Sequence, residues 1–213
     1  MNKTHKLLAE KLLHISAIKL QPESPFVWGS GWNSPIYTDN RVVLSYPDVR
    51  NFIKVELSRI ILENFPQVTA IAGVATGAIA IGAIVADTLG LPYVYVRNTP
   101  KDHGLENMIE GNLKPGSKVV VIEDLISTGQ ALIKAVEAVE MAGCEAVGMC
   151  CIFNFEFPEA VKRFSNANQT LISLLTYSEM LEVASEIDYI TPAELDALQQ
   201  WRQDPAAWTP ENY

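Results

Sequence analysis

Apolar and polar positions alternate along this chain with two different periods. Near the start, Leu8, Leu12 and Ile15 fall on one face of a helix running from 5 to about 15, with Thr4 placed to cap it. Its histidines, His5 and His14, have no partners nearby in sequence and read as surface residues. Residues 22–43, PESPFVWGSGWNSPIYTDNRVV, lose the period: prolines and Gly29 and Gly31 punctuate short aromatic runs. That composition predicts a hairpin or small hood over a main sheet. Trp28, Trp32 and Tyr37 there could stack on a planar ligand, although aromatics in small hairpins usually pack on their own domain. Asp48 is placed to cap a second helix ending near Asn64, with Ile53, Leu57, Ile60 and Ile61 inward. Then come an apolar run at 69–74, a helix at 77–89, apolar runs at 93–96 and 119–122, a helix from 130, and an apolar run at 146–153. This alternation predicts an α/β fold: a mainly parallel sheet flanked by helices, with right-handed crossovers. Thr191-Pro192-Ala193-Glu194 combines a capping box with proline at the first helical position and opens a last helix to about Gln203. We expect a single domain, with helix and hood over about 1–45, core sheet over about 46–175 and terminal helices beyond.

The stretch at 118–141, KVVVIEDLISTGQALIKAVEAVEM, carries the densest chemistry. Four β-branched residues at 119–122 suit a buried parallel strand. Glu123 and Asp124 follow where such a strand should end. Ser127-Thr128-Gly129 makes a small polar turn, and Leu132, Ala135, Val136 and Val139 line one helix face that Gly143 can close. A helix start leaves backbone N–H groups unpaired and carries partial positive charge, so it attracts phosphate. Carboxylates beside it suit a polyol, because they accept hydrogen bonds from hydroxyls and help hold a divalent cation. An ordinary junction in which Asp and Ser merely cap the helix has the same local composition.

Length and charge narrow the classes. The 213 residues, 48% hydrophobic and 19% charged, suffice for a real core. A net charge of −9 without a Lys/Arg cluster argues against nucleic-acid binding. Cys144, Cys150 and Cys151 lie in or beside an apolar run and read as buried free thiols. No apolar stretch reaches membrane length and the N-terminus lacks a signal-peptide core, so the chain reads as cytoplasmic.

Two further segments sit at predicted strand ends, where ligands of such sheets bind. GVATG at 73–77 has no side chain larger than valine, so its backbone N–H groups can reach an anion; a close-packed helix start looks the same. It lacks the lysine of a nucleoside-triphosphate loop. Residues 97–111, RNTPKDHGLENMIEG, form an aperiodic polar connection longer than usual, placing Arg97, Lys101 and His103 on one arm. Such a loop can be a lid that brings positive charge to a leaving anion, or a solvated loop.

VVVIEDLISTGQA resembles the phosphoribosyl-pyrophosphate (PRPP) signature of type I phosphoribosyltransferases. RNTPKDHGLENMIEG resembles the catalytic loop of orotate phosphoribosyltransferases, and SGWNSPIYTDNR the segment forming part of their orotate pocket. The three motifs span most of 26–155. The resemblance implies the type I phosphoribosyltransferase fold and transfer of ribose 5-phosphate from PRPP to orotate, with Mg2+ as cofactor. Glu123 and Asp124 then match the acids holding the ribose hydroxyls, near the magnesium ion. Leu125 follows them; Ile126, Ser127, Thr128, Gly129, Gln130 and Ala131 match the 5′-phosphate loop. Ala75, Thr76 and Gly77 match the pyrophosphate turn. Arg97, Lys101 and His103 match loop residues that contact pyrophosphate in a neighbouring subunit's site, so a homodimer is implied. Lys101, His103 and Asp124 are the implied catalytic residues, and Ser127 and Tyr37 the orotate contacts. Three positions depart from the pattern of some members: Gly29 and Asn98 stand where those have basic residues, and Phe155 where those place an arginine against orotate. A phosphoribosyltransferase for another base, and a non-catalytic regulator on the same fold, are the competing readings.

Overall fold

The helical period at the start of the chain becomes α1, Lys3–His14, in the computed structural model, which describes residues 3–29, 31–99, 108–167 and 169–209. Its apolar face is buried, with Leu8 and Leu12 fully inaccessible. Thr4 lies inside the first turn and does not cap it, because the helix already begins at Lys3. Two compact units divide the chain, Met1–Val49 with Leu175–Tyr213, and Arg50–Leu174.

In the first unit, β1 (Ile18–Leu20) will pair antiparallel with β4 (Ile36–Thr38), enclosing the hairpin of β2 (Phe26–Val27) and β3 (Asn33–Ser34). A 3-10 turn over Asn40–Ser45 follows, capped by the Asp39 side chain. The helix after it, α2 (Pro47–Asn64), starts one residue before the expected cap. Proline's fixed φ suits that first position, and Asp48 lies in the first turn, where a carboxylate meets the positive helix end.

The second unit is built on β5 (Ala70–Val74), α3 (Ala78–Leu89), β6 (Tyr93–Val96), β7 (Ile109–Glu110), β8 (Lys118–Ile126), α4 (Gln130–Met141), β9 (Glu145–Asn154), α5 (Pro158–Ala167) and β10 (Leu171–Thr176). Six strands form one sheet in the order β10-β9-β8-β5-β6-β7. β5, β6, β8 and β9 run parallel, as expected for buried βαβ units, and β7 is antiparallel at the edge. The chain leaves β5 toward β6, then returns to lay β8 on the opposite side of β5. This reversal opens a crevice at the carboxyl ends of β5 and β8. One face of α4 supplies Leu132, Ala135, Val136 and Val139 to the buried core, together with Val119 and Val121 of β8. Truncating Leu132 to alanine there would cost about 2–5 kcal/mol.

Two elements differ from the sequence expectation. β8 continues through both acids to Ile126, because pairing with β9 extends to Ile126–Asn154 after pairing with β5 has stopped at Gly73–Ile122. The connection after Arg97 ends in an ordered strand, β7, whose two residues pair with Tyr95 and Val96. Too short to show a period, it emerges only from its partner.

The chain closes, in the first unit, with α6 (Tyr177–Glu186) and α7 (Pro192–Gln203), each opened by a capping box, Thr176/Glu179 and Thr191/Glu194. Glu179 also meets His5 Nδ1 at 2.5 Å, so His5 is half-buried and partnered; a separation of 174 residues hides that from sequence. All three cysteines are free and buried. Among the described residues no helix is long and apolar enough to cross a membrane.

Candidate active site

The turn after β5 and the end of β8 meet in the crevice. A methyl group on Gly77 would overlap the carboxyl of Asp124, so glycine is what lets that turn lie against the acid. The peptide between Ala75 and Thr76 is cis. Ala75 N–H donates to the Val96 carbonyl at 2.8 Å, tying the turn to β6. Gly77 precedes α3 and Gly129 precedes α4, and neither helix has a side-chain cap bond. Both helix starts therefore keep backbone donors for a ligand. The capping alternative is thereby corrected: α4 opens on glycine, with only a 3.5 Å contact from Gln130 N–H to Thr128 Oγ1.

Glu123 is 7% exposed, and its carboxylate accepts from the Asp124 N–H at 3.1 Å. Burial first, then the adjoining Asp124 side chain, pushes its pKa up to about 9. Near neutral pH it is a neutral acid that can donate as well as accept. The native state thus binds this proton more tightly than the unfolded chain, so stability falls as pH rises from the ordinary glutamate range toward 9. Glu123→Gln removes that titration. We expect its melting temperature to gain on the parent by several degrees between pH 5 and pH 8, an upper bound of about 4 kcal/mol. Thermal unfolding at the two pH values checks this; a constant gap would refute it.

Leu125, Ile126, Ser127 and Thr128 continue from the acids, with Ile126 buried and Ser127 and Thr128 half-buried, while Gln130 and Ala131 are exposed on the first turn of α4. Gly129 adopts φ 73, a left-handed conformation that favours glycine. Arg97, at the end of β6, donates its N–H to the Met108 carbonyl at 2.9 Å, and its Nη1 lies 3.6 Å from Glu110 Oε1. These bonds join the stems of the long loop. Lys101 and His103 lie outside the described residues.

A cavity of about 250 Å³ is lined by Arg97, Asn98, Met108, Thr128, Gln130, Ala131 and Lys134. Lys134 escaped the sequence reading, although its spacing four residues after Gln130 places it on the same helix face. A larger cavity, about 580 Å³ between α6 and α7, belongs to the other unit and includes none of these residues. In that unit Tyr37 is exposed on β4, its ring centroid 5.4 Å from that of Phe26. Trp28 packs edge-on against Trp201 and donates to the Ile36 carbonyl, a structural role. Phe155 is core: it stacks on Phe157 with centroids 5.2 Å apart.

Residues 53–168 match the phosphoribosyl transferase domain family. The chain is 58% identical over 208 residues to an orotate phosphoribosyltransferase of Bacteroides thetaiotaomicron, covering 98% of each, and 46% identical to that of Lactococcus lactis, covering 95% of this chain and 97% of that one. Among solved structures it is similar to a Leishmania donovani UMP synthase (TM-score 0.76, 26% identity, 92% of this chain, 42% of that one). It is also similar to the Aeropyrum pernix orotate phosphoribosyltransferase (TM-score 0.71, 26% identity, 84% and 99%). With identity this high over nearly the whole of both chains, and the turns after β5 and β8 meeting at the switch point of a mainly parallel sheet, the chain belongs to the orotate phosphoribosyltransferases, a family of pentosyltransferases.

Proposed function

We propose that this chain transfers ribose 5-phosphate from PRPP to orotate, forming orotidine 5′-monophosphate and pyrophosphate in pyrimidine biosynthesis. The observation that carries the reading is the contact of Asp124 with the Gly77 turn, which sets a carboxyl between two helix starts with unspent backbone donors. One anion site at each helix start and an acid between them match a sugar bearing a phosphate at one end and a pyrophosphate at the other.

In this mechanism Thr128, Gly129, Gln130 and Ala131 bind the 5′-phosphate, and Glu123 and Asp124 hold the ribose hydroxyls. Ala75, Thr76 and Gly77 bind the pyrophosphate. The bond from the anomeric carbon to the pyrophosphate oxygen breaks as the bond to a ring nitrogen of orotate forms, with positive charge developing on the ribosyl group. The protein fixes both reactants and neutralises the leaving anion. Arg97, Lys101 and His103 do the latter from the neighbouring subunit of a cytoplasmic homodimer. Ser127 contacts orotate.

Among the described residues no three His, Cys, Asp or Glu side chains group to hold a cation, so a magnesium ion would enter with PRPP, and Asp124 is the carboxylate of the crevice that would help hold it. Magnesium bound with PRPP supplies charge neutralisation on the pyrophosphate.

PRPP-dependent loss of orotate absorbance tests the reading, with adenine, guanine, hypoxanthine and uracil as rival bases. The remaining alternative is a different base: Phe155 is buried in the core, so that position supplies no charge to a ligand. Turnover of a rival base without orotate turnover would establish it.

A further inference from the structure

The turn at 127–129 is held from behind by two consecutive residues of α5. Arg163 Nε donates to the Thr128 carbonyl at 3.0 Å. Phe164 lies so close to Gly129 that a methyl group there would come 2.5 Å from the ring. Arg163 is itself fixed by Glu159 one helical turn earlier, Nη2 to Oε1 at 2.6 Å. Phe164 is buried in the core beside Val136 and Val139 of α4.

In a trans peptide the C=O and the following N–H point in opposite directions. Fixing the Thr128 carbonyl on the α5 side therefore aims the Gly129 N–H to the other side, away from α5. A guanidinium on that carbonyl also polarises the peptide, so the N–H becomes a stronger donor. We infer that Arg163 is a positioning residue for the phosphate loop: through the peptide joining Thr128 and Gly129 it presents a backbone donor to the phosphomonoester of the substrate. Phe164 keeps Gly129 from retreating. Nothing in the primary pattern marks Arg163, which is separated from Thr128 by 35 residues. The inference rests on reading 127–131 as the 5′-phosphate loop, and its test separates the two.

The variant is Arg163→Met, which keeps the apolar stem and removes the donor; Arg163→Lys restores a charge without the fixed fork. We expect Arg163→Met to raise the KM for PRPP and weaken ribose 5-phosphate binding by roughly tenfold, the scale of one charge-assisted hydrogen bond. Pyrophosphate binding, the KM for orotate and the melting temperature should stay near the parent values, and Arg163→Lys should recover part of the loss. Glu159→Gln, which spares the Nε bond, should stay within about threefold on PRPP. A folded Arg163→Met with parent-like PRPP and ribose 5-phosphate affinity overturns the inference. Equal losses for pyrophosphate and phosphomonoester overturn it too, since they mark general loosening. If Thr128→Ala combined with Gln130→Ala also leaves ribose 5-phosphate binding unchanged, the phosphate-loop reading itself falls. Should Arg163→Met fail to fold, Arg163→Lys against Glu159→Gln makes the same comparison.

Discussion

Gly77→Ala is expected to lower kcat/KM for PRPP by about a hundredfold while the protein stays folded. The added methyl occupies the place of the Asp124 carboxyl, so that side chain must swing away from the turn to admit it. Overpacking of this kind costs about 1–3 kcal/mol, here taken from the alignment of an acid on the ribose. Asp124→Asn is the companion, since it keeps the shape and removes the charge. It should also impair PRPP use, by roughly tenfold or more. Steady-state kinetics on both, with circular-dichroism melts, provide the check. A folded Gly77→Ala enzyme with parent PRPP kinetics would remove the β5–β8 junction from the site, and parent kinetics for Asp124→Asn would remove the ribose role.

Lys101→Ala is expected to lower kcat by about 10²–10³, with the KM for PRPP moving far less, because a group that neutralises departing charge acts mainly in the transition state. An unchanged kcat would end the assignment of the 97–111 loop. The same variant tests the exchange between subunits. Mixed with Asp124→Asn and allowed to re-form dimers, it should regain activity of about a quarter of the parent if loop and ribose acids come from different chains. No recovery would place loop and acids of each site in one chain.

Much of this architecture was legible because its signals are local. Val119, Val120, Val121 and Ile122 announce a buried strand, Leu132 through its spacing with Val136 and Val139 announces the helix behind it, and Thr191 with Glu194 announces the last helix before any contact is known. What stayed hidden depends on distant partners. The acids continue β8 because β9 pairs with them, β7 exists because β6 offers an edge, and His5 is half-buried because Glu179 reaches it. Glu123 shows the difference within one side chain. Its carboxyl type was readable and its role implied by resemblance, but its raised pKa comes from the burial that the sheet imposes. Lys134 and Arg163 were passed over for the same reason: a lysine or arginine on an exposed helix is ordinary until the cavity or carbonyl it faces is known.

The order in which the strands lie has a consequence for how the protein folds. β5, α3 and β6 are neighbours in sequence and can associate early, but β8 reaches β5 across a separation of 49 residues, seen in the bond between Lys118 N–H and Thr69 Oγ1. Closing that long loop is the slow, entropically costly step of such a sheet. The turns after β5 and β8 both belong to the pair it joins. If PRPP binds across these two turns as proposed, a chain lacking the β5–β8 ladder has no complete site, so added PRPP is expected to slow global unfolding without accelerating assembly.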